Sequence, residues 1–179
     1  GRYIFSIDYS PDDQMVVAAD RNGSVVVHEA RKAADLPRYK MEGDVSSVSF
    51  SPGGDLLAVC DNNYGVGTLT IHRVPQDQRK PAVYSNQGKL LCVSFSPHKG
   101  ANLLVATAGE ETGVVIRKVD SGDIIMMEHC KIEGGSVVRT VSFSNMGEYI
   151  AYSLDYSVVV RHVKSGDVVN KFEQTAKAI

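Results

Sequence analysis

Hydrophobic and polar positions alternate in short runs along the chain, and the runs come back. Ile7-Asp8-Tyr9, Val48-Ser49-Phe50, Val93-Ser94-Phe95 and Val141-Ser142-Phe143 each set two apolar residues around a polar one. A period of two is that of a β-strand with unlike faces. The aromatic residue returns after 41, 45 and 48 residues, followed by Ser10-Pro11, Ser51-Pro52, Ser96-Pro97 and Ser144-Asn145. Behind it, in the first three repeats, comes a nearly all-apolar segment: Val16 to Ala19, Leu56 to Cys60 and Leu103 to Ala106. A β-branched run ends the pattern: Val25-Val26-Val27, Thr68-Leu69-Thr70-Ile71, Val114-Val115-Ile116 and Val158-Val159-Val160. Self-similarity at this period marks a repeat architecture in which each repeat is one supersecondary unit.

The repeats predict four units, approximately 1–43, 44–87, 88–134 and 135–179, each of four short strands. The strands are expected at about 3–9, 15–19, 24–29 and 37–41; then 45–50, 56–60, 67–74 and 81–84; then 90–95, 103–108, 113–119 and 123–128; and last 137–143, 149–153, 157–163 and 167–173. Turn chemistry separates them: Pro11-Asp12-Asp13, Asn22-Gly23, Pro52-Gly53-Gly54, Ser121-Gly122 and Ser165-Gly166. The stretch from Asp61 to Gly67 reads as an enlarged polar loop carrying Tyr64. No segment shows a helical period with caps, so the class is all-β.

At these columns the chain resembles the tryptophan–aspartate (WD) repeat family of β-propellers. The likeness rests on the aromatic-Ser-Pro end of the first strand, the small-residue second strand leading to Asp20, Asp61 or Asp155, and the Ser-Gly-Asp turn after the third strand. Tryptophan is absent, and the family's dipeptide position holds His28-Glu29, His72-Arg73, Arg117-Lys118 and Arg161-His162. The resemblance implies four-stranded antiparallel blades buried on both faces by their neighbours, with the first strand of each innermost. Phe50, Phe95 and Phe143 are then expected in blade-to-blade layers with Val48, Val93 and Val141. Rings of this family usually have seven or eight blades. Four blades therefore imply part of a larger propeller, two copies joined in an eight-bladed ring, or a tight four-bladed ring.

Charge and composition narrow the function. Nineteen Lys and Arg against 21 Asp and Glu give a formal charge of −2, which argues against an electrostatic grip on nucleic acid or anionic lipid as the main activity. No apolar run is long enough for a membrane-spanning helix, and residues 1–20, with four Asp, do not read as a secretory leader. Cys60, Cys92 and Cys130 are odd in number and in no CxxC spacing, which suits a reducing cytoplasmic or nuclear setting and supplies no complete zinc site.

Of five histidines, His28, His72 and His162 fall at third-strand ends in different blades, too far apart to converge on a metal. Gly65-Val66-Gly67 lacks the Lys-Ser/Thr and the helix of a phosphate loop, and no nucleophile turn supports Ser-His-Asp catalysis. Asp20, Asp61 and Asp155 read as turn residues bonding local backbone N–H groups. No catalytic, cofactor or metal site is expected.

The function implied by the resemblance is a non-enzymatic protein–protein interaction scaffold, whose partners are other proteins or further blades. Asn22, Tyr64, Glu111, Arg139 and Tyr156 are the candidate contacts, on the face shared by the second-to-third and fourth-to-first connections. The alternative is an RNA-binding subunit of a ribonucleoprotein using the opposite rim, where Arg31-Lys32, Arg38-Tyr39-Lys40 and Arg79-Lys80 lie.

Overall fold

The computed structural model describes residues 3–32, 35–75, 79–111, 113–128 and 137–173. They form four antiparallel four-stranded sheets, each from consecutive strands. The first blade is β1 (Ile4–Tyr9), β2 (Met15–Asp20), β3 (Ser24–Glu29) and β4 (Asp35–Lys40). The second is β5 (Asp44–Phe50), β6 (Leu56–Asn63), β7 (Val66–Arg73) and β8 (Ala82–Gln87). The third is β9 (Leu90–Phe95), β10 (Leu104–Gly109), β11 (Gly113–Lys118) and β12 (Ile124–Glu128). The fourth is β13 (Val141–Phe143), β14 (Tyr149–Leu154), β15 (Ser157–His162) and β16 (Val168–Glu173). One short 3-10 turn, Gly100–Asn102, precedes β10.

The serine after each aromatic residue explains why that motif recurs. Its hydroxyl accepts the backbone N–H that opens the second strand: Met15 to Ser10 at 2.8 Å, Leu56 to Ser51 at 3.0 Å, Leu104 to Ser96 at 2.9 Å and Tyr149 to Ser144 at 3.1 Å. Ser10, Ser51 and Ser96 are buried, where an unmade hydrogen bond would cost about 1–3 kcal/mol.

Blades stack in chain order, with β1 against β5, β5 against β9 and β9 against β13. Three apolar layers fill the joints. Val17, Val25 and Val27 meet Val48, Phe50 and Leu57; Ala58, Leu69 and Ile71 meet Val93, Phe95 and Val105; Ala106, Val114 and Ile116 meet Val141, Ile150 and Val159. Each inner strand is a sheet edge, whose free N–H and C=O groups would otherwise be left unpaired. Side chains of the preceding blade meet them. Ser6 and Ser47 accept from the backbones of Val48 and Val93 at 3.1 and 3.2 Å, Asp8 accepts from Phe50 at 2.8 Å, and the Cys92 thiol donates to the Val141 carbonyl at 3.8 Å.

The aromatic column does not behave uniformly. Phe50 and Phe95 are buried as expected, whereas Phe143 is only half-buried beside its layer. Among the described residues, the first blade has no neighbour on one side. Ile7 and Tyr9 are 65% and 57% exposed where Val48 and Phe50 show 5% and 6%. The last blade likewise leaves Phe172 54% exposed. The first and last blades therefore do not cover each other as a tight four-bladed ring requires.

β8 runs to Gln87, three residues past its expected end, and two further strand boundaries differ from the pattern. The expected loop over Asp61 to Gly67 is instead strand, with β6 and β7 paired out to Asn63 and Val66 around a two-residue turn. The Asn62 side chain supports the extension, donating to the Leu90 carbonyl at 2.8 Å and accepting its N–H at 2.7 Å. At the other boundary, β13 begins at Val141, not near 137. The N–H groups of Arg139 and Thr140 go to the Ser153 hydroxyl, at 3.1 and 3.2 Å, in place of a strand ladder.

Candidate interaction surface

The turns joining second to third strands all open on one rim. In the first blade the Asp20 carboxylate accepts the N–H groups of Asn22 and Ser24 at 2.9 and 3.0 Å, a local clamp that fixes the Asn22 backbone. Lys40 donates to the Asn22 carbonyl from the outer strand. In the second blade Tyr64 and Gly65 both have positive φ, 48° and 85°, as a tight primed hairpin turn demands. Tyr64 is fully exposed. Glu111 and Asp155 hold the left-handed conformation at the matching turns, with φ of 63° and 53°, and Tyr156 follows, exposed. Arg139 stands exposed just before β13. The fold thus brings all five expected contact residues to one rim.

The aspartates are less alike than their spacing suggests. Asp20 bonds its own turn, but Asp61 sits within β6 and accepts the Gly43 N–H, at 3.2 Å, from the connection between blades. Burial raises the Asp61 carboxyl pKa, and the Gly43 bond opposes that shift. In the third blade the same column holds Gly109. A Cβ there would fall 1.9 Å from the Lys89 carbonyl, which accepts the Glu110 N–H at 2.8 Å. Backbone takes the place of a carboxylate.

The family description "WD domain, G-beta repeat" matches residues 1–29 and 36–64. These segments cover β1 to β3 and most of β4 to β6, the strands whose aromatic-Ser-Pro and Asp columns are described above. The chain is also 26% identical over 168 residues to "THO complex subunit 3" of Arabidopsis thaliana, covering 93% of this chain. The chain is thus similar to the WD-repeat family over those two segments. It spans about half, 50%, of the length of that curated relative.

In this chain the column where the resemblance expects the dipeptide supplies joints between blades. His72 packs at a tilt against Tyr39 of the preceding blade with ring centroids 4.4 Å apart, and the Tyr39 hydroxyl donates to the Arg73 carbonyl at 2.8 Å. The Arg117 guanidinium lies 5.1 Å above the Tyr84 ring centroid. Arg161 pairs with Glu128, and the Tyr152 hydroxyl donates to Glu128 while accepting Arg161 Nε at 2.9 Å. Each pair is 33 residues apart, from the fourth strand of one blade to the third strand of the next. Reading single columns misses these joints. The offset between an aromatic or acidic residue and a basic one would have found them.

The histidines do not converge. His162 bonds Ser165 in its own turn at 3.0 Å, His98 occupies the connection before β10, and His129 and Cys130 lie outside the described residues. Among the described residues no group of His, Cys, Asp and Glu is arranged to hold a metal ion. Burial pushes the Cys60 thiol pKa well up, so this sulfur packs as an apolar group.

Proposed function

We propose that this protein is a non-enzymatic scaffold, a propeller segment acting as a subunit of a larger protein assembly. The observation that carries the reading is the turn-lined rim. Exposed Tyr64 and Tyr156 project from tight hairpins whose strands are locked by buried joints, so binding costs little ordering of the backbone. Tyrosine is favoured at interfaces because it offers a large apolar area with a polar tip. The relative's name, a complex subunit, supports the same reading. The uncovered faces of the first and last blades are joints for further blades of the same or another polypeptide.

The test uses full-length protein with Tyr64→Ala and Tyr156→Ala combined. Quantitative mass spectrometry of co-purified material should lose its stoichiometric protein partners while the melting temperature is unchanged. A protein that sediments free, with partners indifferent to both tyrosines, overturns the reading. RNA retention that falls steeply with salt would favour a ribonucleoprotein role instead.

A further inference from the structure

On the opposite rim, two cavities adjoin where the β5–β6, β9–β10 and β13–β14 connections converge. One of about 480 Å³ lies along the second and third blades, and one of about 530 Å³ along the third and fourth. His98 lines both. The turn of the fourth blade closes onto this ring because Gly147, at φ 70°, has no side chain; a Cβ would fall 2.2 Å from the imidazole.

Six of the lining residues are Lys or Arg and three are Asp or Glu, in a chain whose overall charge is −2. The groove is therefore a local cationic strip on a mildly acidic molecule. Its floor is apolar: Leu56, Ile71 and Leu103 in the first cavity, with Ile125 and Met146 open to solvent in the second.

We propose that this groove binds an acidic, extended segment of a partner protein. Its carboxylates meet Lys80, Lys99, Lys118 and Lys164, and an aliphatic side chain seats beside Ile125 and Met146. Two observations favour a peptide over a single-stranded nucleic acid. Sequence-tolerant binding of bases relies on aromatic platforms, and the tyrosine lining the groove, Tyr39, is buried with its hydroxyl committed to Arg73. The groove also carries Asp55, Asp120 and Glu148; a peptide can set neutral residues opposite these carboxylates, whereas a continuous phosphate backbone carries a charge at every step. The surface lies on the rim away from Tyr64 and Tyr156 and stands independently of that one.

The experiment titrates full-length protein into a short fluorescein-labelled peptide of Asp, Glu and Leu, read by anisotropy. The same peptide with Lys for every acidic residue and a labelled oligouridylate are run beside it. Changing Lys80, Lys99, Lys118 and Lys164 together to Glu should weaken the acidic peptide by about tenfold or more. Should that variant not fold, Lys99→Glu with Lys118→Glu carries the test. Met146→Asp should weaken binding by about threefold, and Tyr64→Ala with Tyr156→Ala should leave it unchanged. The proposal is overturned if the basic peptide binds as well as the acidic one. It also fails if charge reversal leaves affinity within about twofold, or if oligouridylate binds more tightly than the peptide.

Discussion

The imidazole of His72 shows how one residue's surroundings set its behaviour. It lies half-buried against the Tyr39 ring, and burial lowers its pKa from 6.5 to about 4. Its Nε2 has no hydrogen-bond partner among the described residues. The unfolded chain takes up a proton near pH 6.5, which the folded chain resists until about pH 4. The stabilising contribution is thus complete above pH 6.5 and is lost as pH falls through that window, by about 1–2 kcal/mol because solvent at the open ring edge screens part of the effect. His72→Phe keeps an aromatic ring on Tyr39 and removes the titration. Urea unfolding at pH 7 and pH 5 should therefore show a larger loss for the native protein than for the variant. Equal losses would mean that the ring is solvated in the folded state.

Between elements, the third joint carries the densest polar contact. Glu128 on β12 reaches both Tyr152 on β14 and Arg161 on β15, and the acid and the guanidinium are only about a quarter exposed. A double-mutant cycle of Glu128→Ala and Arg161→Ala should give a coupling of about 1–2 kcal/mol, above the range of exposed pairs. Coupling near zero would place the pair in solvent. Alternation and β-branching made nearly every strand legible in the sequence, because each blade is a local structure of consecutive hairpins. The failures came where a distant residue decides. Asp61-Asn62-Asn63 has turn composition, yet Asn62 bonds Leu90 of the next blade and continues β6. The start of β13 is lost to Ser153, a residue on another strand. The positions of the rim residues follow from the order of the strands, although the tight turn at Tyr64 was read as a longer loop; the groove was not legible, since its walls come from all four blades.

For the whole molecule, the uncovered faces dominate behaviour. Ile7, Tyr9 and Phe172 repeat apolar positions that the internal joints bury, and burial yields about 25 cal/mol per Å². The 179-residue chain expressed alone should self-associate at micromolar concentration, and Ile7→Lys with Tyr9→Lys should shift light scattering toward the monomer. A native chain that stays monomeric would mean that these faces tolerate water. The three joints also act as address labels during folding. Tyr39 with His72 and Tyr84 with Arg117 are aromatic pairings, but Glu128 with Arg161 is an ion pair that a neutral mate does not satisfy. A first or second blade docked in place of the fourth would bring His28 or His72, not a guanidinium, to Glu128, a misassembly costing several kcal/mol if the carboxylate stayed buried. Among four similarly folded blades, unequal joints favour the native order of assembly.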